Sequence, residues 1–169
     1  MTAETVLSNA RIVLADEIVD GSVVIRDGLV ADVSPGKVAS GEDFGGDYLI
    51  PGLVELHTDH LEGHYAPRPK VRWNPLAAVL AHDAQVATSG ITTVFDALRV
   101  GLGEDADIDA AEVRHLADAI EDGVRKDRLR ADHFLHLRCE VSADDCLEGF
   151  ALFDGDERVR LVSLMDHAP

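Results

Sequence analysis

From Pro51 onward, short apolar or β-branched runs alternate with longer stretches of helical spacing, and this alternation limits the fold more than any other feature of the sequence. The turn Pro51-Gly52 opens a first strand, Leu53 to His57. Asn74 before Pro75 is an N-cap with proline at the first helical position, and Leu76, Val79, Leu80, Val86 and Ala87 recur near helical spacing until Gly90. Ile91 to Phe95 is a second strand ending in Asp96. The loop Gly101 to Asp107 leads to a helix with Val113, Leu116, Ala117, Ile120 and Val124 on one face, and with Arg125 and Lys126 where the helix dipole favours cations. His133 to Val141 is a third strand. Ser142 caps a short helix to about Phe153, Asp154-Gly155-Asp156 turns the chain, and Val159 to Met165 is a fourth strand. Such a series calls for an α/β fold with a parallel sheet or barrel, whose functional groups gather at the carboxyl ends of the strands.

The first third reads differently. Thr5 to Leu7, Arg11 to Leu14, Ser22 to Arg26 and Leu29 to Val33 are short strands, and Asp27-Gly28 suits a type I′ hairpin with positive φ at both positions. Ser34 to Asp47 reads as a surface loop before Tyr48-Leu49-Ile50. The expected division is a β platform over residues 1–50 and a βα series over residues 51–169.

The strand ends then supply the chemistry. His57 and Asp59 lie two apart, so strand alternation puts both on one face, where they can reach one ion. Imidazole and carboxylate together suit zinc and similar divalent metals. His60 and His64 are lesser candidates, while Glu55 and Glu62 are support, Glu62 as a partner that could orient an imidazole. Asp96, Glu140 and Asp166-His167 close the other strands, which makes Glu140 and His167 further metal candidates and Asp96 a candidate acid or base. Pro67-Arg68-Pro69-Lys70-Val71-Arg72-Trp73 is a basic loop in a chain of formal charge −17. Arg68, Lys70 and Arg72 there suit a phosphorylated ligand.

The same charge argues against general nucleic-acid binding and against anionic membrane surfaces. No apolar run approaches the ~20 residues of a membrane helix, and no basic leader opens the chain, so the cytoplasm is the expected compartment. Cys139 and Cys146 lack metal-knuckle or disulfide-framework spacing and are expected as reduced thiols.

Glu55-Leu56-His57-Thr58-Asp59, Pro67-Arg68-Pro69-Lys70-Val71, His82-Asp83-Ala84, Ser89-Gly90-Ile91-Thr92-Thr93-Val94, His136-Leu137-Arg138-Cys139-Glu140 and Leu164-Met165-Asp166-His167 together resemble the phosphonate-metabolism branch of the amidohydrolase superfamily. The resemblance runs from about residue 5 to the last residue. It implies an N-terminal β-sandwich platform followed by the first four βα units of a (β/α)8 barrel, with a divalent metal centre of one or two ions, zinc by ligand type. The implied reaction is hydrolysis of a ribose 1-methylphosphonate 5-triphosphate to the 5-phosphate and pyrophosphate. His57 matches the first histidine of the superfamily's His-x-His, Asp59 stands where the second is usual, and Glu140 matches a position that some branches use for metal.

A barrel of eight units takes roughly 250 residues, so the chain is expected to be an N-terminal portion, inactive alone. A cyclic-amide hydrolase or deaminase is the alternative enzyme, although a neutral amide gives no reason for the basic loop. A non-catalytic half-barrel working only in an assembly, a homo-oligomer included, is the alternative from another class.

Overall fold

The computed structural model describes residues 3–101 and 108–166, which form two compact units meeting at Pro51/Gly52. The first unit is a single five-stranded mixed sheet: β1 (Glu4–Val13), β2 (Ile18–Arg26), β3 (Leu29–Pro35), β4 (Glu42–Asp43) and β5 (Tyr48–Leu49). Strands β3, β2 and β1 run antiparallel in that order, and both β4 and β5 pair with β1 in parallel. The two expected strands Thr5 to Leu7 and Arg11 to Leu14 are one strand. Its register slips between Leu7 and Ala10, where Asn9 takes a left-handed φ of 56° and absorbs the extra residue. Asp27 (φ 51°) and Gly28 (φ 80°) make the primed hairpin turn. The apolar side of the sheet gathers on Ala10, Ile12 and Val23, with Leu7, Val19, Ile25, Val33, Phe44 and Leu49 packed against them. The expected sandwich has no second sheet among the described residues of this unit, and the expected loop from Ser34 to Asp47 contains β4.

The second unit is α/β. Its strands β6 (Leu53–Thr58), β7 (Ile91–Val100), β8 (Asp132–Glu140) and β9 (Val159–Met165) lie side by side in sequence order, all parallel. Helices α1 (His60–Tyr65) and α2 (Pro75–Thr88) connect β6 to β7, α3 (Ala110–Arg125) connects β7 to β8, and α4 (Cys146–Ala151) connects β8 to β9. Asn74 caps α2 by accepting from the Ala77 N–H at 3.1 Å. Asp109 and Glu112 form a reciprocal capping box on α3. The short fourth helix begins at Cys146, later than Ser142, because residues after β8 first make turns closed by Ala143 N–H to Glu140 O and Cys146 N–H to Ala143 O.

One face of the sheet is covered by helices. Leu98 and Val100 of β7 and Leu135, Leu137 and Cys139 of β8 meet Ala78 and Val79 of α2 and Val113, Leu116, Ala117 and Ile120 of α3. Period two sends the alternate residues to the opposite face. The edge strands keep apolar exposure, with Val54 and Leu56 on β6 and Leu164 on β9 each more than half exposed. No helix among the described residues is long and apolar enough to cross a membrane.

Candidate active site

The face away from the helices carries His136, Arg138 and Glu140 of β8 and Ser163 of β9, with His57 of β6 against them. Strand β6 has an irregular register against β7 between Glu55 and Thr58, which leaves Leu56 and His57 outside the regular ladder. The Glu55 carboxylate takes the His57 backbone N–H at 2.9 Å, and His136 Nδ1 lies 2.9 Å from the Leu56 carbonyl. His136 belongs to β8, so it reaches β6 across β7. The sheet curls toward this face, and the small side chain of Ala97, in register with His136, leaves the room. A carbonyl only accepts, so Nδ1 carries the proton. Burial pushes the His136 ring below its ordinary pKa, and the neutral ring then accepts the Ser163 hydroxyl at Nε2, 2.7 Å away. The His136 ring meets His57 edge to face, with centroids 4.9 Å apart.

Two residues further along β8, Arg138 donates from Nη1 to Asp59 Oδ2 at 2.9 Å. That hydrogen bond holds the Asp59 carboxyl below the usual range, so it is ionised. Glu62, at the start of α1, accepts the Arg99 backbone N–H at 3.2 Å, and burial raises its pKa. Glu140 ends β8 and is buried. His57 and Asp59 are therefore bound to neighbouring positions of β8 on one face, with Glu140 on the same alternation. An exposed imidazole and an ionised carboxylate are a donor set that suits a divalent cation, although such an ion would share Asp59 with Arg138. His167 lies outside the described residues.

The remaining sequence candidates fall elsewhere. His64 Nε2 pairs with Gln85 Oε1 of α2 at 2.9 Å, and His60 Nδ1 lies 3.5 Å from the same amide, so both are joined to α2. In the basic loop the Val71 N–H closes a turn on the Arg68 carbonyl at 3.0 Å, with Pro69 at its second position and Lys70 at φ 62° at its third, as a type II turn requires. Arg68 and Lys70 are exposed. Arg72 is turned to α3, where it bonds Glu112, whose Oε1 also accepts the Tyr65 hydroxyl at 3.0 Å. Cys139 and Cys146 are free and buried, and burial pushes the Cys139 thiol up to about 11.

Asp96 does not end its strand. Ala97, Leu98, Arg99 and Val100 continue β7 and pair with β8, which leaves Asp96 in mid-strand opposite Leu135. It points to the helix side and is fully buried. Its Oδ1 is 2.7 Å from His82 Nε2 and its Oδ2 is 2.8 Å from His133 Nδ1, while His133 Nε2 is 3.4 Å from Asp83 Oδ1. Asp83 also accepts the Arg130 and Ala131 backbone N–H groups and the Arg130 guanidinium. The ligand atoms of His82, Asp96 and His133 all lie within 4.8 Å of one another, close enough to hold a cation. The hydrogen-bond pattern accounts for the same atoms with protons. His133, between two carboxylates, donates from both nitrogens as an imidazolium, and Asp83, Asp96, His133 and Arg130 then balance in charge. His82 Nδ1 is buried without a hydrogen-bond partner among the described residues, while its Nε2 faces Asp96.

His136, Ser163 and Arg138 were not picked out as site residues from the sequence. The signal was present, since His136, Arg138 and Glu140 are spaced i, i+2, i+4 with the apolar Leu137 and Cys139 between them. Ser163 required the β8–β9 register.

No protein-family model matches the chain. Alpha-D-ribose 1-methylphosphonate 5-triphosphate diphosphatase of Escherichia coli (strain K12) is 39% identical over 166 residues, which is 97% of this chain and 44% of the relative. The chain thus spans less than half the length of that curated relative. Dihydropyrimidinase from Brevibacillus agri NCHU1002 superposes with a TM-score of 0.52 at 20% identity, covering 95% of this chain and 32% of that one. A D-hydantoinase superposes with a TM-score of 0.50 at 22% identity, with the same coverage of 95% and 32%. At these identities the structural likeness speaks for the fold alone, while the sequence likeness bears out the resemblance to the phosphonate-metabolism diphosphatase that the motifs carry.

Proposed function

We propose that this chain supplies part of the active site of a metal-dependent hydrolase that cleaves alpha-D-ribose 1-methylphosphonate 5-triphosphate to the 5-phosphate and pyrophosphate. The observation that carries the reading is the 39% identity to such a diphosphatase across 97% of the chain. The four parallel strands are read as the first half of a (β/α)8 barrel. His57, Asp59 and Glu140 are assigned as metal ligands, with His167 as a further one and His60 and His64 as alternates. The ion is zinc by ligand type, one or two per site. When bound, it would polarise a phosphoryl oxygen as a Lewis acid. Arg138 orients Asp59, His136 steadies His57, and Glu62, whose carboxyl burial pushes above its ordinary pKa, is the candidate proton carrier. Arg68 and Lys70, on the exposed turn, are assigned to the phosphate chain, and Arg72 fixes that turn to α3.

Because the chain spans 44% of the relative's length, turnover is placed in a polypeptide of the relative's extent, and the 169-residue chain is expected to be inactive alone. The test is pyrophosphate release by such a longer form from the triphosphate substrate. His57→Ala should lower it by about a hundredfold or more, and unchanged turnover would discard the site assignment. Hydrolysis of dihydrouracil or hydantoin in place of the triphosphate would favour the cyclic-amide alternative.

A further inference from the structure

Two arginines stand side by side near the carboxyl ends of the central strands. The ladder pairs Arg99 of β7 with Arg138 of β8. Their flanking residues Leu98, Val100, Leu137 and Cys139 are buried against the helices, so both arginines belong to the opposite face, the one that carries His57 and Asp59. Neighbouring strands lie about 4.8 Å apart, and like charges directly opposite each other repel. A guanidinium cannot relieve that repulsion by losing its proton.

The counter-charges present do not quench the pair evenly. Arg138 has Asp59. Glu62 comes close to Arg99 but accepts its backbone N–H, and Arg99 Nε is buried with no hydrogen-bond partner among the described residues. In a chain of formal charge −17, two cations in register, one with an unanswered donor, require an explanation. An oxyanion supplies one, because a guanidinium fork offers parallel N–H groups matched to phosphate oxygens. The carboxyl ends of parallel strands are also where α/β folds place ligands.

We infer that Arg99 and Arg138 form a clamp for a phosphate or pyrophosphate group. This rests on the reading of the site as one for a phosphoric anhydride, and it names the side chains that hold the anion at the strand ends, apart from the basic loop.

The experiment titrates pyrophosphate into the chain in metal-free buffer, read by calorimetry and by thermal shift. Saturable binding is expected. Arg99→Gln should weaken it tenfold or more, Arg99→Lys should recover only part of the loss because the fork is gone, and the exposed control Arg128→Gln should match the parent. The melting temperature of unliganded Arg99→Gln should stay at the parent's value, since Arg99 Nε has no hydrogen-bond partner among the described residues. Parent-like pyrophosphate affinity in Arg99→Gln, or no binding by the parent, would overturn the clamp. Zinc titration without pyrophosphate separates the two readings. Pyrophosphate binding with no zinc binding supports the clamp and counts against the metal-dependent hydrolase, whereas zinc binding without pyrophosphate binding does the reverse.

Discussion

Asp96→Asn tests the buried network most directly. The native carboxylate faces two N–H donors, His82 Nε2 at 2.7 Å and His133 Nδ1 at 2.8 Å, and is fully buried. An asparagine offers one oxygen and one NH2 group, so one histidine nitrogen confronts a donor and His133 keeps only Asp83. Hydrogen bonds to charged groups contribute about 1.5–3 kcal/mol each, and breaking a buried ion pair from one side costs about 3–5 kcal/mol. We expect a loss of about 3–5 kcal/mol, a large share of the ~5–15 kcal/mol that holds a domain of ordinary stability. Urea unfolding followed by circular dichroism at pH 7 measures it. Replacing His82, Asp96 and His133 together by leucine should cost less than Asp96→Asn, because no charge is then left unpaired. A loss below about 1 kcal/mol for Asp96→Asn would refute the charge-balanced account.

The same network gives the second unit a two-sided pH dependence. Burial opposes the charged form of His133, but its bonds to Asp96 and then Asp83 outweigh burial and hold its pKa above the ordinary 6.5. Its contribution is full below about 6.5 and is lost as pH rises through the higher folded value. Asp83 and Asp96 are also opposed by burial, yet their hydrogen bonds hold them below 3.8. Their contributions are present above that value and are lost as pH falls through the lower folded values. Stability should therefore plateau between these limits, and Asp96→Asn should flatten the alkaline limb. An unchanged alkaline limb in that variant would remove His133 as its source.

Three further outcomes follow from local geometry. Glu112→Ala should destabilise by about 2–3 kcal/mol in urea, since one carboxylate closes the α3 capping box and also bonds Arg72 and Tyr65; a loss no larger than that of Asp109→Ala would show that the Arg72 and Tyr65 bonds contribute nothing. Gly101→Ala should lose about 2 kcal/mol or more, because the residue sits at φ 82° and a Cβ there would meet the Glu140 carbonyl at 2.7 Å. Lys70→Gly should gain about 0.5–1 kcal/mol by relieving the left-handed position of the basic turn, and a loss would mean that the lysine side chain holds the turn.

Much of this architecture could be read from residue order. Asn74-Pro75, Asp27-Gly28 and the apolar spacing of Val113, Leu116, Ala117 and Ile120 specify their elements through local physics, and each element is present. Helix α1 was not legible, because it is six residues long and includes Gly63, too short for periodicity to register. The single strand β1 was not legible either, since a bulge at Asn9 looks like a turn until its partner strand is known. The cross-strand pairs of the site, Arg138 with Asp59 and His136 with Leu56, depend on register and curl, which no local pattern encodes.

The end of β7 shows how much hangs on strand length. Ending that strand at Phe95 sets Asp96 at the rim as an acid or base. Carrying it on to Val100 changes two things at once. Alternation then places Asp96 on the side of Val94, Leu98 and Val100, where His82 and His133 answer its charge, so it becomes part of the support beneath the sheet. The rim also advances from residue 96 to residue 99, about 10 Å at ~3.3 Å per residue, and the side chain presented there is a cation. A strand end carrying Asp96 would repel a phosphate chain, whereas one carrying Arg99 beside Arg138 attracts it. Four further strand residues, Ala97 to Val100, thus reverse the sign of the charge at the strand end, and the Arg99→Gln titration measures whether that reversal is used.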